Sequence, residues 1–427
     1  MTRPAGPFGP ENIRPGLSRI RRALERSGHP EERFRTIHIA GTNGKGSTAS
    51  IAEAVVRPIA GGPVGLYTSP HLVSPEERIR VDGGKIPARV LAKGFRAAGD
   101  LGDEDDPLTY FERMTWAACD WFRRMKARVV VMETGLGGRW DATTACRPAM
   151  TVITTVGYDH GEWLGNTLGE IAAEKAGILK KSVPLVTGRL RPSARAVVRR
   201  RARELRCHAW ELGRDFDWRA HRDGTVSFSL PGILLESLHV AMNGRFQRDN
   251  AAVALAATWR WACSEGISRS AYVRAAERAV ASVRVPGRLA LLPFRRNARC
   301  WVDGGHNREA AVTLAEEITS WPPWGRGCRV VALWSMLSDK DALGYMRELS
   351  PCFDGVVAYP LAHERAADVA VLERACRTRE VPCRTAAGFS EGFREARRWA
   401  GDGGVVLVCG SLVAAGEAYR HRVGSIP

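Results

Sequence analysis

Short runs of β-branched and aliphatic residues, apolar from end to end, recur along this chain between longer stretches of helical periodicity. Residues 36–40, 64–67, 129–132, 151–155 and 184–186 are such runs. A strand that is apolar on both faces belongs inside a sheet covered on both sides, and helices between such strands provide the cover. Helical spacing fills 45–57, 109–125, 167–179 and 192–205. The pattern predicts an α/β fold built on a parallel sheet.

Residues 216–230 depart from it. There 216–219 and 226–230 flank Arg222, Asp223 and Gly224, which predicts an antiparallel hairpin appended to the main sheet. Helical stretches follow at 245–265 and 268–282. Val285, Pro286, Gly287 and Arg288 then punctuate the chain, and the alternation restarts with strands at 300–302, 329–333, 355–358 and 405–409. The reading gives an N-terminal α/β domain over 1–284, a linker over 285–290 and a smaller, doubly wound α/β domain over 291–427.

Composition narrows the class. With 427 residues, 44% hydrophobic and 26% charged, and no low-complexity tract, the chain is not disordered. No apolar run approaches the roughly 18 residues of a membrane span. Residues 1–10 lack the apolar core of a signal peptide, so a soluble cytoplasmic protein is expected. The ten cysteines are scattered without a C-x-x-C pair, which argues against a zinc site or disulfide framework and fits a reducing compartment. The formal charge is +17, yet only eight of the 63 basic residues are lysine. That skew reads first as a codon-usage background, and second as an electropositive cleft for anionic substrates. Arg199, Arg200 and Arg201, with Arg195, Arg203 and Arg206 nearby, lack interleaved aromatics and read as a solvated helix face.

The strongest local signal runs from Ile37 to Thr48. A buried strand enters the glycine-rich turn Gly41, Thr42, Asn43, Gly44, Lys45, Gly46, after which Ser47 and Thr48 continue a helix. Glycines let backbone amides curl around phosphate, the helix N-terminus favours the anion, and Lys45 can reach the β- and γ-phosphates with Ser47 near the metal. Gly46 stands where the strict P-loop pattern has Ser or Thr. An acidic metal partner is expected at the end of a neighbouring strand. Glu133 ends the run 129–132 and is followed by Gly135, Leu136, Gly137 and Gly138, which let backbone approach a ligand closely. A plain surface glutamate is the alternative. The next strand leads to Asp159 and His160, and Glu174, Lys175, Ala176 and Gly177 follow fifteen residues later.

Taken together, Gly41 to Ser47, Glu133 to Thr143, Asp159 and His160 with Trp163, Leu164 and Gly165, and Glu174 to Ile178 resemble the folylpolyglutamate synthase/dihydrofolate synthase family of the Mur ligase superfamily. Tyr67 to Leu72 resembles the family's second metal loop, and Leu108 to Glu112 its pterin loop. Asn250, Ala251 and Ala252; Pro286, Gly287 and Arg288; Asp303 to Asn307; Asp339, Lys340 and Asp341; and Val408 to Ser411 extend the likeness in order, from about residue 12 to 420.

The resemblance implies an N-terminal P-loop ATPase domain and a Mur-ligase-type C-terminal domain with the site between them. It implies ATP and two magnesium ions, with Ser69, Glu133 and His160 as metal ligands. Lys175 is implied to be a carbamate; the plain alternative is a surface lysine paired with Glu174. Asn250, Arg288, Asp303 and His306 are implied to lie at ATP. Gly16, Leu17, Thr109, Tyr110, Phe111, Glu112, Trp140, Asp141 and Ala142 are implied to lie at the pterin substrate, with Thr109 and Asp141 bonding its polar edge. The implied reaction joins L-glutamate to dihydropteroate and to folates through an acyl phosphate, in a cytoplasmic monomer without nucleic-acid or membrane partners. Thr134, Gly305, Tyr158 and Arg14 depart from the family's usual residues. A folylpolyglutamate synthase without the dihydropteroate activity is the nearer alternative, and a basic P-loop protein binding nucleic acid the distant one.

Overall fold

The computed structural model describes residues 14–292, 299–320 and 327–423. Residues 1–10, read above for a leader, lie outside them. The chain divides into two compact units, the first reaching to Ala241 and taking in Phe246–Val283, the second comprising Met242–Arg245 and everything from Arg284.

In the first unit eight strands form one sheet: β1 Arg35–Ala40, β2 Val64–Tyr67, β3 Ile79–Val81, β4 Gly84–Lys85, β5 Val129–Glu133, β6 Pro148–Ile153, β7 Leu185–Thr187 and β8 Ala209–Glu211. Their order is β4-β3-β2-β5-β1-β6-β7-β8. The six from β2 to β8 pair in parallel, and β3 and β4 turn back antiparallel at one edge. The buried runs read from the sequence are the central strands, because only there do both faces meet helices. On one side the helix Tyr110–Arg124 buries Met114, Ala118 and Phe122, with Phe122 meeting Phe34 edge-on at 5.7 Å. The edge strands were not legible: three- and two-residue segments carry too little pattern.

The appended hairpin needs correction. Asp217–Ala220 (β9) and Val226–Leu230 (β10) do pair across Gly224, which takes φ +83°. Yet they join Ile233–Leu238 (β11) in a separate three-stranded sheet, and the main sheet ends at β8. A second turn at Gly232, φ +79°, returns the chain against β10 instead of onto the main sheet. The run 167–179 also ends early, at Lys175, and continues as a single 3-10 turn to Ile178.

The second unit holds β12 Ala290–Leu292, β13 Arg299–Val302, β14 Val330–Trp334, β15 Gly355–Ala358, β16 Cys383–Thr385 and β17 Val405–Cys409. Their order is β12-β13-β17-β14-β15-β16, parallel except for β12. Among the described residues no helix is long and apolar enough to cross a membrane.

One buried ion pair fixes the start of the Tyr110–Arg124 helix. Thr109 accepts from the Glu112 amide while the Glu112 carboxylate accepts from the Thr109 amide, the reciprocal arrangement of a capping box. Arg19 Nε also lies 3.1 Å from both Glu112 oxygens, with the two residues 8% and 4% exposed. Removing Glu112 leaves the buried Arg19 with only the longer, 3.7 Å ion-pair contact to the half-exposed Asp106. Glu112→Ala is therefore expected to lower unfolding free energy by about 3–5 kcal/mol in urea titration. A loss of the size seen for a surface pair would show that Arg19 finds water instead.

Candidate active site

The strands bring their chemistry to one edge. Ile39 is level with Glu133, Tyr67 with Met132, and Ala40 with Ile153, so the loops leaving β1, β2, β5 and β6 all emerge at the carboxyl end of four adjacent strands. Open α/β sheets bind ligands at such an edge.

The loop after β1 is held from beneath by β6. The Thr42 amide donates to the Thr155 carbonyl at 2.9 Å, and the Asn43 amide to Thr155 Oγ1 at 2.9 Å. Thr154 Oγ1 donates to the Asn43 carbonyl at 2.6 Å, so this peptide is gripped at both ends. A side chain at Gly41 would overlap the Thr154 hydroxyl, and one at Gly44, φ +85°, the Asn250 carboxamide. The glycines are thus required by packing as well as by any ligand. Lys45 opens the helix Lys45–Val56 and folds back, its Nζ 2.9 Å from the Gly41 carbonyl and 3.1 Å from that of Thr42. Ser47, two residues further along the helix, is buried.

Glu133 ends β5 with 3% of its surface exposed, and its Oε2 accepts from the Ser69 amide at 3.0 Å. A Cβ at Gly46 would sit 3.4 Å from that same oxygen. The glycine that interrupts the strict P-loop pattern therefore leaves the carboxylate facing the helix start. His160 takes the left-handed conformation, φ +52°; its amide donates to Asp159 Oδ1 at 3.0 Å, with its Nε2 3.7 Å from that oxygen. Ser69, Glu133 and His160 stand on three loops at one edge and carry a hydroxyl, a buried carboxylate and an imidazole; the two oxygen donors suit a hard divalent cation and the imidazole a borderline one.

Lys175 lies at the end of the helix Leu168–Lys175 and is 3% exposed. Burial, and then the like charge of Lys45, push its amine down to about 7, against the weaker pull of Asp159 and Asp141. The surface pairing with Glu174 is not what forms: Glu174 meets Arg139 instead, at 3.3 Å. Gly138 packs under this helix end, where a Cβ would come within 2.8 Å of the Glu174 and Lys175 carbonyls.

The expected pterin residues divide in two. Thr109 and Glu112 build the helix start described above. Asp141 is buried and filled: Gly135 and Leu136 amides donate to Oδ2 at 2.8 and 2.9 Å, and the Thr143 amide and hydroxyl to Oδ1. Burial raises its carboxyl while these bonds oppose the rise. Phe111 lies so close over Gly135 that a side chain there would enter its ring, and Tyr67 stands 6.0 Å behind it. Ala142 is buried, Trp140 half exposed, Leu17 in the core, and Gly16 open on its Cα side. Arg14 pairs with Asp106 and the Pro107 carbonyl.

Sequence reasoning missed His38. Buried within β1, its Nε2 lies 2.8 Å from Thr143 Oγ1, which in turn donates to Asp141. Burial holds the imidazole down at about 3, so it is neutral and its Nε2–H supports the Asp141 loop. A histidine set between Ile37 and Ile39 was the available signal.

In the second unit the family residues gather at the carboxyl end of β13. Asp303 accepts from the Leu289 amide at 2.9 Å and the Gly305 amide at 2.8 Å. Burial raises its carboxyl, opposed first by the charge of Arg288. His306 Nδ1 lies 3.1 Å from the Gly304 carbonyl. Alanine at position 305 would bring its Cβ to 2.8 Å from Asp303 Oδ1, so this packing calls for glycine. Nothing in the structure explains Thr134 or the exposed Tyr158.

Comparison with known proteins places this geometry. The Mur ligase middle domain matches residues 39–258, and the Mur ligase glutamate ligase domain matches 287–412. Dihydrofolate synthase/folylpolyglutamate synthase of Bacillus subtilis (strain 168) is 35% identical over 355 residues, 79% of each chain. The structure of E. coli FolC in complex with DHPP and ADP superimposes with a TM-score of 0.87 and 30% identity, over 98% of this chain and 95% of that one. The bifunctional folylpolyglutamate synthase/dihydrofolate synthase of Yersinia pestis, complexed with AMPPNP and Mn ion, gives 0.84 and 29% over 97% and 95%. On the domain match and the extent of these likenesses, the chain belongs to the dihydrofolate synthase/folylpolyglutamate synthase family of Mur-type ATP-dependent ligases.

Proposed function

We propose that this ligase joins L-glutamate to dihydropteroate, giving dihydrofolate, and to the γ-carboxylate of folates. The observation that carries the reading is the convergence of Lys45, Ser69, Glu133 and Lys175 at one edge of one sheet. In the first step a carboxylate oxygen of the acid attacks the γ-phosphorus of ATP; the bond to the bridging oxygen breaks and ADP leaves. In the second the amine of glutamate attacks the acyl carbon; the C–N bond forms, phosphate leaves and the amine loses a proton. The protein has to hold anions together and keep water away. Lys45 and the amides of residues 41–47 are assigned to the phosphates, and Asn250, Arg288, Asp303 and His306 to the nucleotide.

Ser69, Glu133 and His160 are assigned to magnesium, two ions in all. Held there, the metal would supply positive charge to the phosphates. Lys175 is assigned as a carbamate, formed when its neutral amine adds carbon dioxide and releases a proton. A buried amine near neutrality beside a second lysine suits that chemistry, because the product is an anion where two cations met. Phe111 and Tyr110 with Trp140, Asp141 and Ala142 are assigned to the pterin, Phe111 as the ring's stacking face. Thr109, Glu112, Gly16 and Leu17 shape that side. The reading also places the protein in the cytoplasm as a monomer. Its basic surface serves small anions: Arg199 is engaged by Glu211, and Arg200 and Arg201 by Glu204.

The direct test supplies ATP, magnesium and glutamate with either dihydropteroate or tetrahydrofolate. Both should be glutamylated with release of ADP. Extension of tetrahydrofolate alone would leave only the polyglutamylating activity, and ATPase stimulated by nucleic acid would overturn the reading.

Two further outcomes follow from the site. Lys45→Ala and Glu133→Gln should each lower kcat by about 10²–10³, the usual loss for a preorganised charge contact. Wild-type rates from either folded variant would remove that residue from the site. Carbamylation of Lys175 should rise as pH increases through about 7, since only the neutral amine reacts. Labelled carbon dioxide trapped on the protein measures it; no label on wild type at pH 8, or equal label on Lys175→Ala, would defeat the assignment.

A further inference from the structure

Arg78 is a buried cation that the reading above leaves unused. It ends the 3-10 turn Pro75–Arg78 before β3, and its carbonyl accepts from the Thr68 amide at 2.9 Å, next to Ser69 of the metal loop. The residue is 4% exposed. Its Nε donates to His71 Nδ1 at 3.0 Å, and its guanidinium carbon lies 5.7 Å from the centre of the Tyr110 ring. Among the described residues no carboxylate pairs with it and no group accepts from its two terminal nitrogens. Of the neighbouring acids, Glu77 is engaged by the Leu72, Val73 and Ser74 amides, Glu112 by Arg19 and Asp141 by its own loop, while Glu76, beside the same Tyr110 ring, makes no ion pair with Arg78.

Arginine keeps its proton under all working conditions, so it cannot escape burial by becoming neutral. A largely buried guanidinium without a counter-ion is a cost that native folds relieve with a paired anion, and the terminal nitrogens of Arg78 keep the solvent access that an anion would need to reach them. With Nε taken by His71, the free edge of the fork presents the two terminal nitrogens, whose spacing matches the oxygens of a carboxylate. Its two neighbours belong to the metal loop and to the start of the Tyr110–Arg124 helix, whose next residue, Phe111, covers Gly135 just beyond Glu133.

We propose that Arg78 holds the carboxylate of the pterin-bearing acid through its two terminal nitrogens, and so places the oxygen that takes up phosphate. The proposal rests on the acid–amine ligase reading given above. It makes Arg78 a substrate-binding residue for the anion that the reaction consumes. A phosphate of the nucleotide is the other anion of matching chemistry, and the test separates the two.

The full-length protein, its Arg78→Gln variant and its Arg78→Lys variant are titrated with dihydropteroate, with the uncharged carboxamide of dihydropteroate, and with ADP. Wild type should bind the acid about 10²-fold more tightly than the carboxamide, as a charge-assisted, bidentate contact requires. Arg78→Gln should bring that ratio close to one and leave ADP affinity within about twofold, while Arg78→Lys retains part of the ratio, having the charge without the fork. Because the variant removes an unpaired buried charge, Arg78→Gln should also melt at or above the wild-type temperature. An unchanged ratio in Arg78→Gln overturns the proposal alone, as does a loss of ADP affinity with the ratio kept. A large fall in melting temperature makes Arg78 a structural residue and overturns it too. If wild type binds neither acid nor carboxamide, the substrate reading itself falls, and this proposal with it.

Discussion

Lys175 stands in the sheet's active edge without water and with Lys45 as its electrostatic neighbour. Bringing an amine from its ordinary range to about 7 amounts to on the order of 5 kcal/mol against the charged form. The fold tolerates this because the surroundings offer partial compensation. The Leu168–Lys175 helix ends at this residue, where the carbonyl ends of a helix favour a cation, and the fields of Asp159 and Asp141 act in the same sense. What remains is an amine pushed toward its neutral form, the form that the carbamate proposed above requires. The site's other features follow from holding this group where it is. The glycine run after Glu133 lies against the helix end, and the helix end fixes the amine.

Close approach of backbone explains why so much of the site is glycine. Gly41 and Gly44 leave room for Thr154 and Asn250, Gly46 for Glu133, Gly135 for Phe111 and Gly138 for the Lys175 carbonyl. Each glycine brings two segments from different elements closer than a side chain would permit. The loops leaving β1, β5 and β6 are therefore not independent arms. Thr154 and Thr155 clamp Asn43, while His38 reaches from β1 through Thr143 to Asp141, which gathers the amides of Gly135 and Leu136. A shift in one loop is transmitted by hydrogen bonds of fixed length to the next, and this is how soft loops give a site of defined shape.

The central strands, the glycine loop and Glu133 were legible because their signals are local: continuous apolar runs, and glycines at a strand–helix junction. The two-residue strand Gly84–Lys85 and the three-residue Ile79–Val81 were not, since pairing at a sheet edge leaves little mark on so few residues. The separate small sheet was misread because sequence gives the hairpin turn at Gly224 but not which surface the strands meet next. At the site, residue identity was easier to read than residue role. Glu112 and Asp141 stand in motifs that suggest ligand contact, and each also has a structural task the motif does not show, one bound by Arg19 and the other by four groups of its own loop. Which acid is spent on structure depends on partners 93 residues away in the case of Arg19 and Glu112, and no spacing rule reaches that far.

That distinction between spent and unspent groups carries the functional argument. A buried acid with several donors is already compensated within the fold and meets a ligand as a fixed acceptor, whereas a buried cation lacking a counter-charge gains from any anion of the right shape. Among the described residues, Lys175 and Arg78 are two such cations near the loops of the site. Lys175 can shed its proton, and its relief is chemical. Arg78 cannot, and its relief must come from outside the chain. Both lie beside the loops that converge on Glu133, on the side where the sheet ends and the glycines clear space. Stability alone would have filled these positions with partners or apolar residues, as it did around Arg19. A chain that leaves two cations unmatched in one region holds stability in reserve for the anions it brings together.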